Sequence, residues 1–303
     1  MLRPYERSRI GDILGGVYVV RGILGRGATA IVYEGEHQVL GRRVALKVMT
    51  EERIQSQEAR RRFLQEAQAV ASLSHGNICQ IYDFGSLPDG AMFCAMEYLQ
   101  GEPLSARLER EGALPLVDVV EFGLQILMGL HAAHRKGIIH RDIKPENVFL
   151  AQIPGVSRPV VKLLDFGLAK VTQSFDSEGE GEDQITQITR TGVVVGTPYY
   201  MAPEAVTGQE DLDLRVDLWA TGVVLFFAAT GRLPFRGSNW ADTAQAILKQ
   251  KTPSLRGWRP SVPARLVEVI ERALRKDRAY RYSSAMDFAR DLVQVRRDIY
   301  LRS

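Results

Sequence analysis

Hydrophobic and polar residues alternate along short runs in the first hundred positions of the chain. The alternating runs are VYVVRGIL at 17–24, AIVYEGE at 30–36 and RVALKVM at 43–49. A period of two is typical of β-strands that bury one face. One further stretch, Glu58 to Leu73, instead has apolar residues at helical spacing. The pattern therefore predicts a β-rich N-terminal region that contains one helix.

Beyond about residue 104 the apolar residues recur at the spacing of α-helices. The predicted helices are Leu116 to Lys136, Asp213 to Thr230, Trp240 to Lys249 and Pro263 to Arg275. The most apolar run, 216–230, is short for a membrane span and carries Asp217, so we expect a buried core helix there. The pattern favours a small β-rich lobe and a larger helical lobe that join near residues 96–103.

Composition excludes several classes of protein. A chain of 303 residues that is 45% hydrophobic can bury a sizeable core. Its 39 basic and 36 acidic residues are largely interleaved, so the net charge of +3 predicts no binding of nucleic acid or anionic lipid. Cys79 and Cys94 are in no metal-binding or redox spacing, and residues 1–11 lack the apolar stretch of a signal peptide. We therefore expect a cytoplasmic protein with no membrane segment in this chain.

A glycine-rich segment, GRGATAIV, places Gly25, Gly27 and Ala30 close to the pattern G-x-G-x-x-G. An ordinary glycine turn is an equally good interpretation of this segment alone. A dinucleotide-binding turn would continue into a helix, whereas these glycines lie between two strand-like runs. The context therefore predicts a hairpin whose backbone could lie over phosphate groups.

Lys47 ends the apolar strand VALK. A single lysine in a strand is more often a solvated surface residue than a ligand. Glu66, however, lies on the amphipathic helix that follows, and an ion pair between Lys47 and Glu66 would hold the ammonium near the α- and β-phosphates of a nucleotide.

The segment HRDIKPEN, 140–147, is the most informative part of the chain. Asp142, Lys144 and Asn147 have the spacing that a base, a phosphate-directed cation and a metal ligand need on one loop. Asp165 in LLDFGLAK follows 18 residues after Asn147. Because Mg²⁺ prefers oxygen ligands, Asn147 and Asp165 are candidate ligands for magnesium on a triphosphate.

With these motifs in this order, the chain resembles the eukaryotic-type protein kinases and is most similar to the bacterial Ser/Thr kinases, from about Tyr18 to Leu292. The resemblance implies an α+β bilobal protein kinase fold, with an antiparallel sheet and one main helix in the small lobe and mostly helices in the large lobe. The implied boundaries are an N-terminal extension at 1–17 and a kinase domain at 18–298, with the small lobe at 18–97, the hinge at 98–102 and the large lobe at 103–298.

The resemblance also implies an activity and its partners. The protein would transfer the γ-phosphate of ATP, with Mg²⁺, to serine or threonine hydroxyls of protein substrates and of its own activation loop. By the same resemblance, Asp142 would orient the hydroxyl, Lys144 would neutralise charge on the γ-phosphoryl group and Thr197 would contact both. A homodimer through the small lobe is conceivable by family analogy.

The nucleotide site that the resemblance implies has an adenine pocket and a hinge. Val32 and Ala45 would cover the adenine from one side and Phe149 from the other, with Met96 as gatekeeper. His140 and Phe166 would stack in the regulatory spine with Val70 and Ile81. The implied nucleotide-binding residues are Gly25, Arg26, Gly27, Ala28, Val32, Ala45, Lys47, Met96, Glu97, Leu99, Phe149 and Asp165.

Several residues of the large lobe would support or control catalysis by the same resemblance. Glu204 is expected to pair with Arg281, and Asp217 is expected to anchor the backbone of the catalytic loop. Arg141 precedes the catalytic aspartate, and a buried arginine there would need an anionic partner. We predict that phosphorylated Thr189 or Thr191 supplies this partner, in a cationic pocket formed by Arg141, Lys170 and Arg62.

Two other functions are weighed against this one. A pseudokinase would bind nucleotide and regulate partners without catalysis, but such proteins usually lack one of Lys47, Asp142 and Asp165. A small-molecule phosphotransferase would lack a segment such as GTPYYMAPE, 196–204. For His131, His134 and His140 we prefer packing or solvated helix positions to a structural metal site, because no ligand cluster accompanies them.

Overall fold

The alternating runs form an antiparallel sheet in the computed structural model, which describes residues 9–27, 30–49, 67–166 and 198–301. The three predicted strands are confirmed, and three strands that were not predicted individually join them in the order β1-β2-β3-β4-β6-β5. The strands of this sheet are β1 Ile13–Leu14, β2 Tyr18–Arg26, β3 Ala30–His37, β4 Arg42–Met49, β5 Ile81–Ser86 and β6 Met92–Glu97.

One face of this sheet carries a hydrophobic core. Tyr33 on β3, Leu46 on β4 and Phe93 on β6 are almost completely buried and belong to one cluster. Residues 67–71 are helical, and Ala67 and Val70 are buried. The first part of the helix predicted at 58–73 lies outside the described residues.

The chain divides into two compact units, the first ending at Gln100 and the second beginning at Gly101. The second unit contains a small sheet of β7 Gly101–Pro103, β8 Val148–Ala151 and β9 Val160–Leu163. Its described helices are α1 Leu104–Glu111, α2 Leu116–His134, α3 Pro203–Val206, α4 Arg215–Thr230, α5 Trp240–Lys249, α6 Ala264–Ala273 and α7 Ala285–Tyr300.

The four helices predicted in this unit are confirmed as α2, α4, α5 and α6, with ends that differ by no more than two residues. α4 is the core helix that its apolar sequence predicted, because nearly every side chain from Val216 to Ala229 is buried. Glycines allow the other helices to approach it closely. A Cβ atom at Gly123 of α2 would lie 2.8 Å from Leu225 Cδ2, and one at Gly222 would lie 2.8 Å from the Cβ of Ala273 in α6.

α2 is long and apolar enough to cross a membrane by length and composition alone. Within the second unit, however, α2 packs against α4 and α7, and its residues Val119, Ile126, Leu127 and Leu130 are completely buried. These contacts account for its apolar sequence as that of a core helix.

Candidate active site

The carboxylate of Asp142 is held by two neighbours on its own loop. Asn147 donates from Nδ2 to Asp142 Oδ2 at 2.8 Å and to the Asp142 carbonyl oxygen at 2.8 Å. Lys144 Nζ lies 2.8 Å from the same Oδ2. The other carboxylate oxygen, Oδ1, makes no hydrogen bond with a described residue. Asp142 is only partly buried, with 34% of its side chain exposed, so Oδ1 can accept a hydrogen bond from an incoming hydroxyl.

The backbone of this loop is anchored by Asp217 of α4. The fully buried Asp217 carboxylate accepts hydrogen bonds from the backbone N–H of His140 through Oδ2 and of Arg141 through Oδ1, both at 2.8 Å. His134, at the end of α2, also lies 2.8 Å from Asp217 Oδ2 through Nε2. The predicted role of Asp217 as the anchor of the loop is thus seen in its hydrogen bonds.

His140 is fully buried beneath the loop and links it to the segment after β9. Its Nε2 lies 2.8 Å from the carbonyl oxygen of Leu164, which can only accept, so Nε2 carries the hydrogen. Nδ1 is then free to accept from the Asp142 N–H at 3.3 Å. Both hydrogen bonds suit the neutral ring. Burial lowers the pKa of His140, and this effect outweighs the nearby carboxylates, of which Asp217 raises the pKa most.

Two residues of the site have left-handed backbone conformations that are rare outside glycine. Arg141 has a φ of 62° and Asp165 a φ of 54°, and no other non-glycine residue in the described part of the chain has positive φ. Such conformations cost about 1–3 kcal/mol each and persist where the surroundings enforce them. At Arg141 the enforcing contact is the hydrogen bond to Asp217.

The segment with Asp165 is placed beside Asn147 by the small sheet. Val148 of β8 pairs with Leu163 of β9, and the Leu164 N–H donates to the Asn147 carbonyl oxygen at 2.9 Å. The ring of Phe166 lies 4.4 Å from that of His140, between ring centres, and Phe166 is buried. The predicted contact of His140 with Phe166 is therefore present.

The residues fit a magnesium ion bound together with phosphate groups. Because both bonds that Asn147 makes to Asp142 use Nδ2, its amide oxygen Oδ1 is left for a cation. Mg²⁺ in nucleotide sites takes one or two protein oxygens and completes its shell with phosphate and water. The described residues contain no group of three or more His, Cys, Asp or Glu side chains that could hold a metal.

In the first unit, the predicted nucleotide residues share one face of the sheet. Val32 is the register partner of Lys47, and Ala45 is the partner of Met96. Since residues two apart on a strand point to the same side, these four side chains project opposite to the core cluster around Leu46. The glycine-rich segment is the predicted hairpin between β2 and β3, in which Gly25 pairs with Val32, and a Cβ atom at Gly25 would meet nothing within 4 Å.

The predicted hinge residues follow β6. The backbone N–H and carbonyl of Leu99 make no hydrogen bond with a described residue, and the Glu97 carbonyl lies 3.9 Å from Cys79 Sγ. Phe149, on β8 in the second unit, is half-buried. Because the Leu99 N–H makes no hydrogen bond with a described residue, it can donate to a ligand.

Glu204 and Arg281 form a buried ion pair, as predicted. Arg281 donates from its two terminal nitrogens to the two carboxylate oxygens of Glu204, at 2.6 and 2.7 Å. The Arg281 side chain is 0% exposed and the Glu204 side chain is 5% exposed. Arg281 also donates to the backbone carbonyls of Arg275 and Lys276. The pair ties α3 to the segment before α7.

One expectation about the regulatory residues is wrong. The side chain of Arg141 is exposed, not buried. Its guanidinium makes no ion pair with a described residue. The other predicted residues of this group, and some of the site, lie outside the described residues: Ala28, Arg62, Glu66, Lys170, Thr189, Thr191 and Thr197.

Sequence reasoning missed two contributors to the site. His134 was expected to be a packing or solvated residue, yet it is bonded to the carboxylate that anchors the loop, and only 6% of its side chain is exposed. A histidine in the last turn of a largely apolar helix was the signal for it. The Leu164 carbonyl, which fixes the tautomer of His140, has no signature in the sequence.

Comparison with known proteins identifies the class. The protein kinase domain family matches residues 18–294, and the chain belongs to this family. Its curated relatives include the serine/threonine-protein kinase pkn3 of Myxococcus xanthus, 37% identical over 298 residues, which are 97% of this chain and 53% of the relative. PrkC of Bacillus subtilis is 35% identical over 283 residues, 93% of this chain and 41% of that protein.

Solved structures agree with this assignment. The kinase domain of Mycobacterium tuberculosis PknI has a TM-score of 0.73 and 28% identity, and the match covers 95% of this chain and 99% of that domain. The protein kinase fold, with its antiparallel N-terminal sheet and helical C-terminal part, is therefore confirmed. The chain spans between 37% and 58% of the length of the curated relatives, which extend beyond a kinase domain.

Proposed function

We propose that this protein is a Ser/Thr protein kinase that transfers the γ-phosphate of ATP to protein hydroxyls, including those of its own activation loop. The observation that carries the proposal is the Asp142 carboxylate, which is fixed through Oδ2 by Asn147 and Lys144 while Oδ1 is left for a substrate. The names of the relatives and the family assignment support the same activity. The domain would span 18–298, with the hinge at 98–102.

Alignment and charge neutralisation are what phosphoryl transfer requires of a protein, because its transition state is loose. Asp142 Oδ1 would accept the hydrogen bond of the substrate hydroxyl and orient its oxygen in line with the γ-phosphorus. The new P–O bond would form as the bond to the β-phosphate oxygen breaks, ADP would leave, and the hydroxyl proton would pass to Asp142. Lys144 would shift from Asp142 towards the γ-phosphoryl oxygens and balance their charge.

The proposed nucleotide contacts are assigned residue by residue. Lys47 would contact the α- and β-phosphates, the Leu99 N–H and Glu97 carbonyl would bond the adenine, and Asn147 and Asp165 would bind Mg²⁺. When bound, Mg²⁺ supplies charge neutralisation on the phosphates. Support comes from the shared sheet face of Lys47, Val32, Ala45 and Met96 and from the amide oxygen that Asn147 leaves uncommitted.

Serine and threonine are the acceptors that we propose, because Lys144 and Thr197 match the residues that Ser/Thr kinases place against the catalytic aspartate.

A cytoplasmic location is also proposed. It is supported by the two buried cysteines, Cys79 and Cys94, neither of which is in a disulfide.

The test is phosphate transfer by the purified chain. Wild-type protein is incubated with Mg²⁺, γ-labelled ATP and a Ser/Thr-containing substrate protein, beside Asp142→Asn, and the labelled residues are mapped. Label on serine or threonine in the wild type, reduced on the order of 10³-fold in the variant, is expected. Nucleotide binding with equal, background label in both proteins would instead support the pseudokinase.

A further inference from the structure

The face of the first sheet that carries the proposed nucleotide residues continues along β4 to Arg43. Arg43 precedes Ala45 by two positions and Lys47 by four, so all three side chains project to the same side of the sheet. Glu34 on β3 is the register partner of Ala45, and partners across an antiparallel pair share a face. Arg43 therefore lies in one row with the residues proposed to cover the adenine and to contact the phosphates.

The guanidinium of Arg43 is held by a ring and a carboxylate. Its central carbon, Cζ, lies over Tyr98, 3.9 Å from the centre of the ring. Its Nε and Nη2 donate to Glu34 Oε1 at 3.0 and 2.8 Å. The face of an aromatic ring attracts a cation, and a planar guanidinium can stack on the ring while it donates hydrogen bonds at its edge. Two contacts of different kinds thus fix the position of the Arg43 side chain.

Tyr98 is the residue between the two backbone groups that we propose to bond adenine, the Glu97 carbonyl and the Leu99 N–H. The register of β6 with β4 ends at Glu97, whose partner is Val44. Beyond that pair, the stack of Tyr98 on Arg43 is a contact that ties the chain back to β4. The stack therefore restricts the conformation of the segment that contains both backbone groups.

We propose that Arg43 is a positioning residue for ATP, which acts through its stack on Tyr98. The inference rests on the proposed function, since it takes the backbone on either side of Tyr98 to bond adenine. Arg43 itself need touch neither the adenine nor a phosphate. Because it keeps this backbone in one conformation before ATP arrives, it lowers the ordering cost of binding. Its loss should weaken ATP binding and leave the chemical step unchanged.

Arg42 provides a matched control one position earlier on β4. Its guanidinium carbon lies over the ring of Tyr82, 3.9 Å from the ring centre, and the guanidinium donates to the Tyr82 hydroxyl. Tyr82 belongs to β5 and packs against the core cluster of the sheet. Arg42→Ala and Arg43→Ala therefore each remove one positive charge and one cation–ring contact from the same strand. The two substitutions differ in which tyrosine loses its partner.

The experiment measures the dissociation constants of ATP and of adenosine, with Mg²⁺ present, for the wild type, Arg43→Ala and Arg42→Ala. Displacement of a fluorescent ATP analogue gives both constants. We expect Arg43→Ala to weaken both ligands by the same factor, roughly three- to tenfold, and Arg42→Ala to stay within about twofold of the wild type. Adenosine separates positioning from charge, because it carries no phosphate that a lost cation would cease to attract.

Tyr98→Leu tests the stack from its other side, since leucine is apolar but offers no ring to the guanidinium. It should weaken ATP binding as Arg43→Ala does. The double variant should bind little more weakly than either single variant, because both substitutions remove the same contact. In steady-state transfer assays, KM for ATP should rise by the same factor as the dissociation constant, with kcat at saturating ATP near the wild-type value. Urea unfolding of each variant verifies that the protein tested is folded.

Three results would each overturn the inference. They are equal ATP affinity in Arg43→Ala and Arg42→Ala, a weakening that affects ATP but not adenosine, and additive effects of Arg43→Ala and Tyr98→Leu. None of them would contradict phosphate transfer by the wild type. A wild type that binds no ATP would instead overturn the proposed function, and this inference with it.

Discussion

Asn147 determines where the Asp142 carboxylate points, because both of its N–H bonds end on Asp142. Replacing Asn147 by Ala removes these bonds and the amide oxygen together. We expect kcat for a peptide substrate to fall on the order of 10²- to 10³-fold, with a much smaller change in KM for the peptide.

The matched control for this substitution is Asn239→Ala. Asn239 caps α5 by accepting from the Asp242 N–H, and within the described part of the chain its side chain bonds only to Asp242. Steady-state kinetics should show wild-type turnover for it. If Asn147→Ala also retains wild-type turnover, Asp142 is not positioned by this amide.

His140 gives the protein a pH-dependent stability. Its pKa is lowered in the folded state by burial, so the unfolded chain takes up its proton first as the pH falls. The stabilisation is therefore present above the unfolded pKa, near 6.5, and is lost below it. His140→Gln keeps an N–H for the Leu164 carbonyl but does not titrate in this range.

Urea unfolding at pH 7.5 and 5.5 measures this effect. The wild type should lose more of its free energy of unfolding over this interval than His140→Gln does. The other titrating groups are common to both proteins and cancel in the difference. Equal losses would mean that His140 is not held neutral.

Spacing in the sequence was enough to predict that the proposed catalytic residues of this loop lie together, but not which residues elsewhere in the chain hold the loop. Asp142, Lys144 and Asn147 lie within six positions, so a single loop brings them together whatever the rest of the fold. The bonds from Asp217 to the backbone of His140 and Arg141 join residues 77 and 76 positions apart. Only the packing of α4 against the rest of the second unit creates those contacts, and the family resemblance supplied the expectation.

At the scale of whole elements, α4 supports the catalytic loop through one buried carboxylate. Asp217→Asn leaves one acceptor oxygen for two backbone N–H groups and His134. Hydrogen bonds to charged groups contribute about 1.5–3 kcal/mol each, so we expect the free energy of unfolding to fall by about 2–4 kcal/mol. Phosphate transfer should fall as well, because the left-handed conformation of Arg141 loses its support.

Asp213→Asn is the control for the same helix. Asp213 is partly exposed just before α4 and accepts from the Arg215 N–H, so its replacement should change the free energy of unfolding by no more than about 1 kcal/mol. Chemical denaturation of both variants, followed by fluorescence, makes the comparison. Equal effects at the two positions would contradict an anchoring role for Asp217.

The helices and strands whose hydrophobic residues recur with one clear period were predicted best. The three alternating runs became β2, β3 and β4, and α5 has the predicted ends. β6 was not predicted as a separate strand because Met92 to Ala95 are all buried, which removes the alternation of hydrophobic and polar residues. α7 was overlooked although Phe288, Leu292 and Val295 follow a helical period, since its exposed face is crowded with arginines and aspartates.

For the molecule as a whole, control by phosphorylation remains a prediction, because Thr189 and Thr191 lie outside the described residues. The exposed guanidinium of Arg141, next in sequence to the proposed catalytic aspartate, suits a phosphate that arrives from another segment. We expect mass spectrometry of active protein to find phosphate on one of the two threonines. Replacing both by alanine should lower activity on the order of tenfold or more.

Thr207→Ala is the control for this prediction, because among the described residues the Thr207 hydroxyl donates only to backbone carbonyls of α3. Its activity should match that of the wild type. Active protein with both threonines unmodified, together with full activity of the double alanine variant, would exclude regulation at these positions.

The two faces of β4 restrict how the length of this protein can vary. One added residue between Arg43 and Val44 would move each following side chain of β4 to the opposite face of the sheet. The Lys47 ammonium would then enter the cluster of Tyr33, Leu46 and Phe93. Two added residues would restore the sides and only shift them along the strand. The exposed turn at 38–41 can absorb either change. Insertions in natural or engineered versions should therefore accumulate in that turn and, within the strand, be tolerated only in even numbers.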